Sequence, residues 1–308
     1  MHDIVIIGAG PAGLTAAVYA ERAGKNALLI EGDTFGGQIT YSPRVENYPG
    51  IKSISGNEFA DSLLQQAIDL GAETEFNEVV GLKVCEGGYS VLTSDGSHMA
   101  RAVIIASGVK HRKLGLEGED ALTGSGVSYC AVCDGAFYKG RPVAVVGGGN
   151  TALSDALFLS SYCSKVTVIH RRDKFRGEER LLEYLKQKSN VEFVLNAEVA
   201  ALMGEDALSG IKIKEKLSGK IIKVEADCLF VAIGQESNNA AFKELVMLDG
   251  DGYIIAGEDC KTTQKGIFAA GDCRVKDVRQ LTTAAADGAV AALNACKYID
   301  ELYTNKKL

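Results

Sequence analysis

Two strand–glycine–helix–strand units lie in one chain, and a further strand ending in glycine follows after the second unit has closed. These observations predict an α/β fold: two doubly wound Rossmann-like nucleotide-binding domains, the second inserted into the first. The first unit opens on Asp3-Ile4-Val5-Ile6-Ile7, an apolar run that reads as a buried parallel strand. Gly8-Ala9-Gly10-Pro11-Ala12-Gly13 follows, then a helix from Leu14 to Ala23 that stops at Gly24. A strand from Asn26 to Ile30 leads into Glu31. That completes a βαβ unit with an acid at its end.

The second unit repeats the plan. Pro142 to Val146 is apolar, Gly147-Gly148-Gly149-Asn150-Thr151-Ala152 follows, and a helix runs on through Ser161. The next strand, Lys165 to Ile169, leads into His170-Arg171-Arg172 and not into an acid. Val103 to Gly108 and Cys228 to Gly234 are apolar strands ending at glycine, one closing each unit. Gly266 to Asp272 is a third such strand, and Leu281 to Tyr303 reads as a long amphipathic helix. The first domain is therefore expected to be discontinuous, 1–112 with 242–308. The inserted domain is 113–241, with junctions near Lys113 and Ala241.

Composition narrows the function classes. With 46% hydrophobic and 24% charged residues, the 308-residue chain has the balance of a globular protein with ample core. A net charge of -7 argues against nucleic acid as a partner. No apolar run approaches the ~18 residues of a membrane span. The N-terminus lacks the features of a secretory signal, so a cytoplasmic location is expected. In that setting the eight cysteines are not a disulfide framework. Only Cys130 and Cys133 form a close pair; the others read as buried packing residues.

Each fingerprint has a physical logic. Gly8 permits the tight turn, Gly10 lets backbone approach a pyrophosphate, and Gly13 lets helix and strand pack closely. The helix N-terminus offers unpaired N–H groups and a favourable dipole to the anion. Glu31 can accept hydrogen bonds from a ribose 2′-hydroxyl. In the second unit Arg171 and Arg172 stand where that acid would be, with Arg176 a turn further on. Guanidinium groups bind a 2′-phosphate in a planar, bidentate way.

The pair Cys130-Ala131-Val132-Cys133-Asp134 sits just before the second fingerprint. A zinc site needs further ligands, yet the four histidines are scattered at 2, 98, 111 and 170. A thioredoxin-type fold would continue into a long helix, which Gly140 and Pro142 forbid. Two buried free cysteines are a third reading, disfavoured by the adjoining acid and glycine; a redox-active pair remains, with Asp134 able to deliver or take the proton of thiol–disulfide chemistry.

Taken together, these residues resemble the low-molecular-weight thioredoxin reductases, the class II branch of the pyridine nucleotide-disulfide oxidoreductases. The resemblance rests on GAGPAG at 8–13, FGGQ at 35–38, ENYPG at 46–50, CAVCDG at 130–135 and GGGNTA at 147–152. HRRDKFR at 170–176, AAGDCR at 269–274 and RQLTTAAADG at 279–288 complete it. Three positions depart from the common pattern: Ser154 and Asp155 stand for two glutamates, Gln235 to Asn238 lacks a proline, and Gly177 stands for alanine.

The resemblance implies an FAD held by Gly8, Gly10, Pro11, Ala12, Gly13, Glu31, Gly37, Gln38, Asn47, Val80, Ala106, Gly108, Gly271, Asp272, Arg279, Gln280 and Leu281. It implies NADPH at Gly148, Gly149, Asn150, Thr151, His170, Arg171, Arg172, Arg176, Ile233 and Gly234. It also implies a homodimer and a small dithiol protein, thioredoxin, as acceptor. Hydride would pass from NADPH to FAD, electrons would pass to the Cys130–Cys133 disulfide, and dithiol exchange would follow. Cys133 would face the flavin, Cys130 would attack thioredoxin, and Asp134 would move the proton. Two alternatives are a flavin reductase serving a glutaredoxin-like or peroxiredoxin-linked protein and a slow redox-sensing binding protein.

Overall fold

The computed structural model describes residues 1–305. Among them the α-helices run in chain order as α1 (Pro11–Arg22), α2 (Gly56–Asp69), α3 (Glu119–Leu122), α4 (Ala131–Asp134), α5 (Asn150–Leu159), α6 (Glu179–Lys186) and α7 (Leu281–Asn305). The chain divides into two compact units: Met1–Lys110 with Glu236–Leu308, and His111–Gln235. The α/β class and the insertion are as the sequence predicts.

The first unit is built on a seven-stranded sheet. Glu73–Phe76, Ala27–Glu31, His2–Ile7 and Ser97–Ile105 lie side by side and parallel, and Ile267–Ala269 adds parallel to Ser97–Ile105. Gly88–Thr93 and Val79–Cys85 extend the sheet as antiparallel strands. The central strands are apolar at successive positions because both faces are covered. Ile4, Ile6, Leu29 and Ile104 pack under α1 and α7, while Val5, Leu28, Val103 and Ile105 pack on the other face. The α1–α7 contact is lined by Ala12, Ala16, Ala291, Ala292 and Ala295. A Cβ on Gly288 would run into the Ala12 carbonyl, so this contact is closer than any larger residue permits.

The second unit carries a five-stranded parallel sheet in the order Val191–Leu195, Lys165–His170, Pro142–Gly147, Cys228–Ala232, Val127–Ser128. A three-stranded antiparallel sheet, Ala197–Met203, Gly210–Glu215 and Ile221–Val224, packs its Val199, Ile211 and Ile213 into one of that unit's two cores. The sequence reading assigns no element to these strands or to the antiparallel pair of the first unit. The two passages of chain between the units pair as a ribbon, Val109–His111 with Gln235–Ser237.

Several boundaries differ from expectation. Helix α1 begins at Pro11, not Leu14. Proline's restricted φ suits a first helical position and its missing N–H leaves no donor there unpaired. Ala12 and Gly13 thereby join the helix. The compact units divide at 110/111 and 235/236, not at 112/113 and 241/242. At the second junction the reason is Asn239. Fully buried, it accepts from Ser107 Oγ at 2.9 Å and donates to the Gly252 and Cys273 carbonyls, each at 2.9 Å. Those bonds bind 239 and its neighbours to the first unit.

Candidate active site and nucleotide sites

The cysteine pair lies just past Val127–Ser128, the edge strand of the second unit's parallel sheet. Cys130 and Cys133 form a disulfide with their Cα atoms 5.3 Å apart. Cys130 is the N-cap of α4, and its sulfur accepts the Cys133 N–H at 3.2 Å. The helix lasts one turn, and the strand at Pro142 follows a short 3₁₀ turn, Gly135–Tyr138. Gly135 packs so close to Leu159 and Phe158 that a Cβ there would lie 2.8 Å from the Leu159 Cδ2. This seats the pair against α5.

Asp134 is the titrating group beside the sulfurs. Burial raises its carboxyl above the ordinary aspartate range, opposed by the Ser128 hydroxyl, which donates to Oδ2 at 2.6 Å. Ser128 Oγ also accepts the Cys130 N–H at 3.1 Å. Ser128 therefore ties the acid to the backbone of the first cysteine. Sequence reasoning misses it, since a serine two residues before a cysteine carries no distinctive pattern. Five of the other cysteines are chemically quiet: burial pushes Cys163, Cys273 and Cys296 up to about 11, Cys260 up to about 12 and Cys228 well above its ordinary range.

In the first unit, Gly8, Glu31, Ala106 and Gly271 lie at or just past the C-terminal ends of the parallel strands, where ligands of such sheets bind. Gly8 turns at φ 101° and donates to the Ile30 carbonyl at 2.8 Å. A Cβ on it would strike the Ala106 carbonyl. Gly10 caps α1 with no side-chain cap and no acid in the first turn. Open space lies where its Cβ would project. Glu31 accepts the Ala9 N–H at 2.7 Å and the Asp33 N–H at 2.8 Å, one on each carboxylate oxygen. Gly37, at φ 61°, packs over Gly10.

The turn Gly271–Cys273 closes the same edge. Asp272 Oδ1 is buried with no partner among the described residues, and burial raises this carboxyl. Behind it lies a network the sequence reading does not assign. Asp287 of α7 accepts Gly271 N–H at 2.9 Å, two bonds from the Arg274 guanidinium at 2.8 Å each, and Lys276 Nζ at 2.9 Å. Both Asp287 and Arg274 are buried. Paired and fully hydrogen-bonded, such charges hold a turn rigidly.

Gln38 donates to the Val109 carbonyl, and Asn47 donates to Gln280 at 3.3 Å. Arg279 lies over the Tyr253 ring at 4.4 Å, and Leu281 opens α7. Gly108 is at φ 62°, and Val80 is exposed. These residues fit FAD on three grounds: an α1 N-terminus with no side-chain cap and open space before Gly10, an acid at the end of the Ala27–Glu31 strand, and an orphaned buried oxygen suited to a hydroxyl donor.

The second unit repeats the edge. Gly147 turns at φ 157°, and a Cβ there would strike the Ala232 carbonyl. Gly149 caps α5 with no side-chain cap, no acid in the first turn and open space before it. Ile233 and Gly234, the latter at φ 113°, follow the neighbouring strand. His170, expected among the cofactor contacts, is 5% exposed and lies with its ring on Gly148, where no Cβ would fit. It stacks on Phe175 at 5.0 Å, and its Nε2 bonds the Lys174 carbonyl at 3.0 Å. Burial lowers its pKa, opposed by hydrogen bonds to the Lys174 and Gly147 backbone and aided by Arg172 and Arg176, and the ring forms a floor against Gly148. Asn150 spends its side chain on Glu178, leaving its backbone amide and exposed Thr151 toward the open space. Arg171, Arg172 and Arg176 are exposed, and among the described residues none of the three makes an ion pair.

Among the described residues no helix is long and apolar enough to cross a membrane, and no cluster of His, Cys, Asp and Glu suits a metal ion. The family model for pyridine nucleotide-disulphide oxidoreductases matches residues 2–289. The thioredoxin reductase of Listeria monocytogenes is 42% identical over 303 residues, 98% of this chain and 95% of its own length. That of Bacillus subtilis is 40% identical, over 100% of this chain and 98% of its own. The crystal structure of thioredoxin reductase from Streptococcus pyogenes aligns with a TM-score of 0.94 at 38% identity, covering 98% of this chain and 99% of that one. With its family motifs at the strand ends and its relatives matched end to end, the chain belongs to the pyridine nucleotide-disulphide oxidoreductases.

Proposed function

We propose that this oxidoreductase is an NADPH-dependent thioredoxin-disulfide reductase of the cytoplasm, working with FAD as a homodimer. The observation that carries the reading is the Cys130–Cys133 disulfide beside a half-buried acid, at the edge of a sheet that also bears a nucleotide fingerprint. The first unit is the FAD domain and the second the NADPH domain. In the first, the α1 amides take the pyrophosphate, Glu31 the adenosine ribose, and Asp272 a ribityl hydroxyl. In the second, the α5 amides take the nicotinamide pyrophosphate, and Arg171, Arg172 and Arg176 take the 2′-phosphate. Bound FAD supplies the two-electron relay between NADPH and the disulfide.

The remaining chemistry belongs to the chain. In the reduced pair the Cys130 thiolate attacks one sulfur of the thioredoxin disulfide and expels the other as a thiolate. The Cys133 thiolate then attacks Cys130, which releases reduced thioredoxin and restores the Cys130–Cys133 bond. The Cys133 N–H at Cys130 Sγ supports Cys130 as the attacker, since an N–H donated to an ionised sulfur stabilises it. Asp134 supplies the proton to the departing thiolate. Its raised pKa supports that role, because a carboxyl that keeps its proton nearer neutrality is a better acid there.

NADPH oxidation by the purified flavoprotein tests the reading. Turnover should need a thioredoxin-class disulfide and should vanish in Cys130→Ser. Rapid NADPH oxidation without any disulfide acceptor, equal in wild type and variant, would overturn it.

A further inference from the structure

The loop that carries the three arginines is pinned to the second fingerprint from several sides. Arg176 N–H and Gly177 N–H both donate to the Gly148 carbonyl, at 2.7 and 3.1 Å. Glu178 N–H donates to Asn150 Oδ1 at 2.7 Å, and Asn150 Nδ2 donates back to Glu178 Oε1 at 3.2 Å. Gly177 permits this approach. A Cβ on it would lie 2.7 Å from Leu153 Cδ1, 3.0 Å from Gly149 C and 3.1 Å from Asn150 N. Among the described residues the exposed guanidinium groups have no side-chain ion pair of their own, so their position is that of the loop.

We infer that the reciprocal Asn150–Glu178 pair is a clamp that sets the preference for a 2′-phosphorylated nucleotide, with Glu178 as a positioning residue. This rests on the NADPH reading above. A dinucleotide spans a set distance between its pyrophosphate and its 2′-phosphate. The α5 N-terminus receives the first and the arginine loop the second. Recognition of both at once needs the two backbones in register, and misplacement of about 1 Å is costly. The clamp joins Asn150, first residue of α5, to Glu178, the N-cap residue of α6 after the loop. It also turns an acid two residues from Arg176 toward an amide.

The test uses FAD-loaded protein and titration calorimetry with two probes, adenosine 2′,5′-bisphosphate and adenosine 5′-monophosphate. Wild type should bind the bisphosphate far more tightly. Glu178→Ala removes one exposed side-chain hydrogen bond and should weaken the bisphosphate about three- to tenfold, with the monophosphate changed less than about twofold. Glu178→Gln keeps an oxygen for Asn150 and should stay near wild type. Unchanged probe selectivity in Glu178→Ala would overturn the clamp. So would Glu178→Gln behaving like Glu178→Ala, or binding the bisphosphate more tightly than wild type, because either outcome makes the charge the operative feature. Wild type that binds both probes alike would instead overturn the NADPH reading itself, before any variant is compared.

Discussion

Cys130 and Cys133 differ in surroundings although they share one bond. Cys130 caps α4 and accepts an N–H, while its own N–H is held by Ser128. The expected outcome is that Cys133→Ser accumulates a mixed disulfide with thioredoxin on non-reducing gels and Cys130→Ser does not. The reverse pattern would exchange their roles. Asp155 on α5 gives a second prediction. Burial raises its carboxyl to about 7, against ~3.9 in an unfolded chain. Between those values the folded state keeps a proton that the unfolded state has lost. Stability therefore falls as pH rises through that interval, and the penalty is complete above it. Asp155→Asn should match wild type near pH 4 and exceed it at pH 8, by roughly 2–4 °C in Tm. A gain of equal size at both pH values would refute the assignment.

At the scale of the element, the same fingerprint contains glycines that differ in what they require. Gly10 has ordinary extended backbone and no atom near its missing Cβ. Gly13 has the Gly8 carbonyl there. Gly10→Val should thus leave a folded protein whose valine fills the pyrophosphate space, so that it purifies colourless. Gly13→Val should fail at folding, since the strand-to-helix contact cannot open without moving backbone. Far-ultraviolet circular dichroism and flavin absorbance separate the two. A yellow Gly10→Val protein would remove the pyrophosphate from this helix end. The α1–α7 contact follows the same rule, as Gly288 admits the Ala12 carbonyl only because it has no side chain.

For the whole molecule, the arrangement of sites on the two units has a mechanistic consequence. The cysteine pair and the second fingerprint belong to one unit, the first fingerprint and Asp272 to the other. Hydride transfer needs donor and acceptor within ~3–3.5 Å, and disulfide reduction needs the sulfur comparably close. On the proposed function, two groups of one unit would have to meet one group of the other in turn. The ribbon of Val109–His111 and Gln235–Ser237, where both passages of chain run together, suits a paired hinge. An engineered covalent link between the units should block steady-state turnover while FAD stays bound. Cleaving the link should restore it. Full turnover with the units locked would exclude the motion.

The sequence by itself determined both nucleotide units, their order and the cysteine pair. These depend on local rules: apolar runs for buried parallel strands, glycine at strand–helix turns, and a basic or acidic residue at the strand end. Such patterns lie within some thirty residues and survive without knowledge of the rest. It was blind to Ser128 as the partner of Asp134, to Asp287 as the anchor of the Gly271 turn, and to Glu178 opposite Asn150. Nor did it show that the His170 ring lies against Gly148. Only the tertiary structure decided these, because each is a contact between elements whose spacing in sequence carries no period. The same reason placed the second junction beyond Gln235: Asn239 belongs to the first unit through hydrogen bonds to Ser107, Gly252 and Cys273, partners that meet only after the chain has folded back.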